Sequence, residues 1–206
     1  TLREAVRVGD EVRELVVLET PWGPVTDRDA DGTAYAMQWG AHRPEATNLA
    51  LLDLEDATTL DAALDVANRT GIPAQNFVAG DRAGRIGWTI AGRIPARVGR
   101  DGRRPVDSTD PHARWAGFVA PADVPRVVDP EDGRLWTANA RVLGGDALAV
   151  LGDGNYVHGA RARQIRDGLR ALEAPISERD LLAIQLDDRA LFYVPWRALL
   201  LETLDA

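Results

Sequence analysis

The chain has 206 residues, 45% of them hydrophobic, which is enough to bury one sizeable core or two small ones and is far from the composition of a disordered tail. Its formal net charge of -8 argues against a nucleic-acid grip or attraction to anionic lipid, since both need clustered positive charge, and its basic residues, all arginine, scatter along the sequence. There is no cysteine for a disulfide, a thiolate nucleophile or a Cys-ligated metal, and no apolar run approaches the roughly 20 residues needed to span a bilayer.

Thr1-Leu-Arg-Glu-Ala5 lacks the apolar core of a signal peptide, and Thr1 is not an initiator Met, so the expectation is a piece cut from a longer protein. Glu11–Glu19 is a β-branched and apolar run suited to a strand, broken by Thr20-Pro-Trp-Gly-Pro24. A second strand is expected from Val25. A third is expected over Thr33–Trp39, where Tyr35, Met37 and Trp39 alternate with small residues at a period of two. These segments predict one antiparallel sheet.

Thr58-Thr-Leu-Asp61 has the form of a helix start, with Leu60, Ala63, Leu64 and Ala67 on one face and Gly71 and Pro73 closing the end. Asn76–Gly80 and Arg85–Ala91 flank the polar turn Asp81-Arg-Ala-Gly84 and read as a hairpin. Arg97–Pro111, rich in Gly, Pro, Asp and Arg, reads as an exposed loop. Prolines 121, 125 and 130 keep the chain extended, and Arg134–Ala138 predicts a short strand stopping at Asn139. From Arg161 the pattern is helical, with Ile165, Leu169 and Leu172 on one face; Ser177-Glu-Arg-Asp180 opens another helix, and Phe192–Leu204 is a third apolar stretch. The fold class expected is therefore α+β, divided into a mixed α/β portion over 1–160 and a helical portion over 161–206, or one continuous domain.

Asp27-Arg-Asp-Ala-Asp31-Gly32 places three carboxylates as a calcium-binding loop does, but Gln38 stands where a bidentate carboxylate is required and the flanks read as strands. A polar turn is the plainer reading, and a calcium module built on Asp27, Asp29 and Asp31 is the rival. His42, His112 and His158 lack metal-ligand spacing. Neither serine, Ser108 or Ser177, lies in a nucleophile elbow, and Ser177 reads as a helix cap. A terminal residue can use its own amine as base, so Thr1 qualifies chemically as a nucleophile in a compact hydrolase, a second rival.

Asn76-Phe-Val-Ala-Gly-Asp-Arg-Ala-Gly-Arg-Ile-Gly-Trp88 followed by Gly92-Arg-Ile-Pro95 resembles the hairpin of penicillin acylases and related N-terminal-nucleophile amidases. Trp115–Phe118, Pro125–Pro130, Gly133–Asn139 and Tyr156–Ile165 follow in that family's order and approximate spacing. Trp22–Val25, Tyr35–Trp39 and Ala183–Asp188 extend the likeness over nearly the whole chain.

The resemblance implies part of an αββα sandwich of an N-terminal-nucleophile hydrolase, an internal stretch of the large subunit whose catalytic serine precedes Thr1. It implies that Asn139 is the oxyanion asparagine, that Arg161 orients it, and that the isolated piece is inactive. It also implies a small-molecule amide substrate, such as a β-lactam acyl side chain or an acyl-homoserine lactone, met by segments near Leu52 and Gln75. Further implied are partnership with the rest of the large subunit and with the small subunit, and a periplasmic or extracellular parent. No cofactor is implied for the chemistry. A structural calcium in the parent is implied near Pro95, with Asp146 and Asp153 near the expected place of a carboxylate ligand.

Overall fold

The computed structural model describes residues 1–152 and 155–204. The chain opens with a hairpin of β1 (Leu2–Val8) and β2 (Glu11–Val17), turned through Gly9 at φ 64°. Gly9-Asp10 between two alternating runs is a hairpin signal, and it closes this pair with Val8 opposite Glu11. The expected sheet is thereby corrected: β2 pairs with β1, while β3 (Glu19–Thr20), β4 (Gly23–Arg28) and β5 (Ala34–Ala36) form a separate antiparallel sheet. The Thr33–Trp39 strand shrinks to three residues, leaving Met37 and Trp39 exposed outside it.

The centre of the molecule is a helix laid on a sheet. Helix α1 (Leu60–Arg69) begins where Thr59 Oγ1 accepts from the amide of Ala62, a side-chain cap that satisfies one free helix-start donor. Its Leu60 and Leu64 are buried. They lie on the sheet of β6 (Gln75–Gly80), β7 (Ile86–Ala91) and, after β8 (Pro95–Val98) and β9 (Arg114–Phe118), β10 (Arg126–Val128), in the order β10-β7-β6. Gly87 on β7 permits the approach, since a Cβ there would stand 3.0 Å from Leu60 and 3.1 Å from Leu64.

On the opposite face of β7, Trp88, only 1% exposed, packs with Ile94, Val124 and Leu151 in the main apolar cluster. The predicted hairpin is thus the spine of the core, with one layer on each side. β8 and β9 pair antiparallel, so Arg97 and Val98, expected in a loop, belong to a strand.

Arg134–Ala138 is not a strand, correcting the expectation. Its polar groups are taken one at a time by side chains and by helix ends rather than by a ladder. Helix α2 (Gly145–Leu151), whose Gly-Gly start carried no helix signal, buries Leu148 and Leu151. Helix α3 (Ala160–Ala171) packs on α4 (Glu178–Gln185), and Gln164 Nε2 donates to Asp187 Oδ2 at 2.8 Å. α4 starts with the Ser177/Asp180 capping box that the sequence predicts.

α5 (Val194–Leu204) is apolar all round, with Val194, Trp196, Leu199 and Leu200 exposed. Among the described residues no helix is long and apolar enough to cross a membrane.

Candidate active site

Asn139 lies at the end of the irregular segment that follows β10, and Arg161 lies in the first turn of α3. Arg161 Nη2 donates to Asn139 Oδ1 at 2.5 Å, so residues 22 apart in sequence meet side chain to side chain. A guanidinium is a donor only, which fixes the identity of the amide atom facing it. With Oδ1 held by Arg161, Asn139 presents Nδ2, which makes no hydrogen bond among the described residues. Both residues are exposed, so the amide donor is open to a ligand.

Several contacts hold this arrangement. The carbonyl of Asn139 accepts from the amide of Val157 at 3.0 Å, which ties the segment to the chain leading into α3. The carbonyl of Ala138 accepts from Asn76 Nδ2 at 3.0 Å, and Asn76 Oδ1 in turn accepts from Trp88 Nε1 at 2.9 Å. The peptide before Asn139 is therefore anchored through two side chains to the buried indole. At the other end of α3, Arg134 donates to the carbonyls of Leu169 (2.9 Å) and Leu172 (3.1 Å), and the Arg170 guanidinium lies 5.4 Å from the Trp136 ring centroid. Arg134 adds a side-chain donor at the C-terminal end of α3, where the Leu169 carbonyl also accepts from the Leu172 amide at 3.3 Å.

Asn76 was read from the sequence only as the start of a hairpin. Nothing in a single sequence distinguishes it, because its role lies in contacts 12 and 62 residues away. Gln75 precedes it on the exposed β6 edge, and Leu52 is exposed in a short 3-10 turn over Ala50–Asp56.

The remaining candidates do not assemble a site. Thr1 is exposed beside the terminal hairpin, with no hydrogen-bond partner among the described residues. Asp27, Asp29 and Asp31 turn their oxygens to local donors. Asp29 accepts from Thr33 N (3.0 Å) and the Tyr35 hydroxyl (3.0 Å), and Asp31 accepts from Thr33 N (2.8 Å) and Oγ1 (2.6 Å). The Thr33 hydroxyl leads in bringing the Asp31 pKa down to about 2. These carboxylates close a turn, which corrects the calcium-module reading.

The calcium site that the resemblance implies in the parent lies near Pro95. Arg97 Nη1 faces the Pro95 carbonyl at 3.5 Å, a cation where a metal ion would need free oxygens. Asp146 is exposed on α2, and Asp153 lies outside the described residues. Among the described residues no group of three or more His, Asp or Glu side chains is placed to hold a metal ion.

The fold and sequence both have known relatives. The solved structure of a thermostable penicillin G acylase from Alcaligenes faecalis superposes with a TM-score of 0.66 at 24% identity, over 89% of this chain and 33% of that one. Penicillin acylase 2 proenzyme of Pseudomonas sp. strain SE83 is 34% identical over 148 residues, 70% of this chain and 19% of the relative. The acyl-homoserine lactone acylase QuiP of Pseudomonas fluorescens is 31% identical over 186 residues, 88% of this chain and 22% of the relative. The chain thus spans about a fifth of the length of these curated relatives. Residues 1–205 match the sequence profile of penicillin amidase, and the antiparallel sheets with packed helices are the α+β architecture of an N-terminal-nucleophile hydrolase: this chain belongs to the penicillin amidase family.

Proposed function

We propose that the chain supplies the oxyanion-stabilising side of the active site of an amide hydrolase, with Asn139 as the donor and Arg161 as the residue that orients it. The observation that carries this reading is the 2.5 Å contact between Arg161 Nη2 and Asn139 Oδ1, which leaves Asn139 Nδ2 free to donate. Attack on an amide carbonyl puts negative charge on its oxygen, and a pre-aimed N–H stabilises that charge without reorganising.

The nucleophile in this proposal is a terminal serine contributed by a part of the protein outside these residues, with its own α-amine as base. Serine Oγ adds to the carbonyl carbon and its proton passes to the α-amine. Asn139 Nδ2 holds the resulting oxyanion, together with a backbone amide outside this chain. The intermediate collapses to an acyl-serine ester, and the amine leaves with a proton. Water then releases the acid and restores the serine.

The substrate class proposed is a linear amide, either the acyl side chain of a β-lactam or an acyl-homoserine lactone, since relatives of both names match this chain. The partners proposed are the remainder of the large subunit and the small subunit, in a periplasmic or extracellular enzyme. The 206-residue chain by itself is proposed to be inactive.

The test is turnover of a phenylacetyl amide and of a long-chain acyl-homoserine lactone by the whole protein. Asn139→Ala is expected to lower kcat by about 10²–10³-fold, the usual cost of losing one oxyanion donor. Full turnover by a folded Asn139→Ala protein would overturn the assignment.

A further inference from the structure

A cleft of about 980 Å³ lies between the β3–β5 sheet and the loop that follows β8. Its charge is opposite to that of the chain. Against a formal net charge of -8, the cleft is lined by Arg97, Arg100, Arg103 and Arg104, with Asp107 as the sole acid among its described lining residues. Asp107 Oδ1 is already engaged by the Thr109 amide (2.8 Å) and hydroxyl (2.7 Å). Arg103 has Asp101 at 3.8 Å.

Arg97 and Arg100 stand differently. Among the described residues the Arg97 side chain donates to the carbonyls of Leu151 (3.4 Å) and Pro95 (3.5 Å), and it is packed against Gly102 and Gly152, where an added Cβ would come within 2.8 and 2.6 Å of its guanidinium. Arg100 Nη2 donates to Gln38 Oε1 at 2.5 Å, while its Nε is buried without a partner. Neither has a carboxylate at ion-pair distance among the described residues. Burial first, and then the charge of Arg100, push the Arg97 pKa down. Two neighbouring guanidiniums partly removed from water, with no carboxylate at ion-pair distance among the described residues, are unfavourable until an anion joins them.

We propose that this cleft is a carboxylate-binding site, in which Arg97 and Arg100 grip the carboxylate and the rings of Trp22, Tyr35 and Trp115 receive a flat apolar body attached to it. Arginine suits the first task because its planar fork matches a carboxylate, and exposed aromatic faces suit the second. The carboxylate comes from one of two sources with the same chemistry, a free small molecule or an Asp or Glu side chain elsewhere in the whole protein. The proposal does not depend on the roles assigned to Asn139 and Arg161.

The probe is 1-naphthoate, titrated into the whole protein at constant ionic strength beside the neutral 1-naphthylmethanol, with tryptophan fluorescence and calorimetry as readouts. Naphthoate is expected to bind and the alcohol not to. Affinity is expected to fall about tenfold or more in the Arg97→Met/Arg100→Met double variant, the scale of losing a charge-assisted contact. Arg100→Met alone, which gives up one hydrogen bond to Gln38, serves if the double variant does not fold. If naphthoate does not bind, a crystal structure of the whole protein must show one of its own carboxylates between Arg97 and Arg100, which identifies the source. Absence of both, binding that survives the variants, or equal binding of the alcohol overturns the proposal.

Discussion

Asn76 Nδ2 donates to the carbonyl oxygen of Ala138 at 3.0 Å, joining the head of the central hairpin to the peptide that carries Asn139. Because the other end of the Asn76 amide accepts from Trp88, which is 1% exposed, the position of Asn139 is referred to the largest fully buried side chain of the core. Asn76→Ala in the whole protein is expected to lower kcat about tenfold, because small displacements of the proposed oxyanion donor are costly. Steady-state kinetics check this. An unchanged kcat would mean that the backbone holds Asn139 without this link.

Arg161→Lys keeps the charge and loses the planar fork. A lysine ammonium is a single, flexible point charge, so the Asn139 amide is no longer compelled to show its nitrogen to the substrate. The expected loss is about tenfold in kcat for Arg161→Lys and about 10²-fold for Arg161→Ala, the larger value reflecting a fully unrestrained amide. A crystal structure of the alanine variant should show the Asn139 amide in more than one orientation.

Asn68 is the polar pin of the helix-on-sheet layer. It is 1% exposed; its Nδ2 donates to Thr89 Oγ1 (2.8 Å) and the Ile90 carbonyl (3.0 Å), and its Oδ1 accepts from Arg126 Nε (2.8 Å). Asn68→Leu is nearly isosteric but leaves those partners unsatisfied in the interior, so a loss of about 2–4 kcal/mol is expected. Thermal or denaturant unfolding of the whole protein measures it, and a loss under about 1 kcal/mol would show that water replaces the amide.

Asp129 closes the end of the β10–β7 pair, accepting from Arg85 Nε and the Ile86 amide at 2.9 Å each. The Arg85 hydrogen bond, then that of Ile86, holds its pKa below the ordinary carboxylate value. A carboxyl depressed in the folded state stabilises it above the unfolded pKa of about 3.9 and ceases to do so as the pH falls through the lower folded value. The melting-temperature deficit of Asp129→Asn is therefore expected to be full at pH 6 and to shrink as the pH is lowered below about 4. A deficit that stays constant down to pH 2 would count against a role for the ionised carboxylate.

Local rules reached far into this fold where each element carries its own start signal. Thr59 and Ser177 cap the helices they announce, and Asp81-Arg-Ala-Gly84 turns the hairpin it predicts. The failures share a cause. Arg134–Ala138 has a strand's composition, but Asn76 and the end of α3 claim its polar groups, and no sequence window contains those partners. Glu11–Val17 is a strand within the expected run, yet its neighbour is Leu2–Val8, closed through Gly9-Asp10, while the turn at Pro21-Trp22 joins two other strands.

The candidate site was legible only through resemblance. Asn139 and Arg161 are ordinary residues until the fold brings them together, and the resemblance marks Asn76 only as the first residue of the hairpin motif. The arginines scatter along the sequence, yet four fall between residues 97 and 104. That Arg97 and Arg100 meet no carboxylate at ion-pair distance among the described residues is a property of three dimensions.

Arg134 and Arg161 fasten α3 to one stretch of backbone at both of its ends, the first at the C-terminal carbonyls and the second at the side chain of Asn139. A rod pinned twice cannot swing about either pin alone. Loosening the far pin, at Arg134, should therefore be felt at the near one: heat or mutation that frees the last turn of the helix would unsettle the Asn139 amide at the opposite end of the rod before the core itself gives.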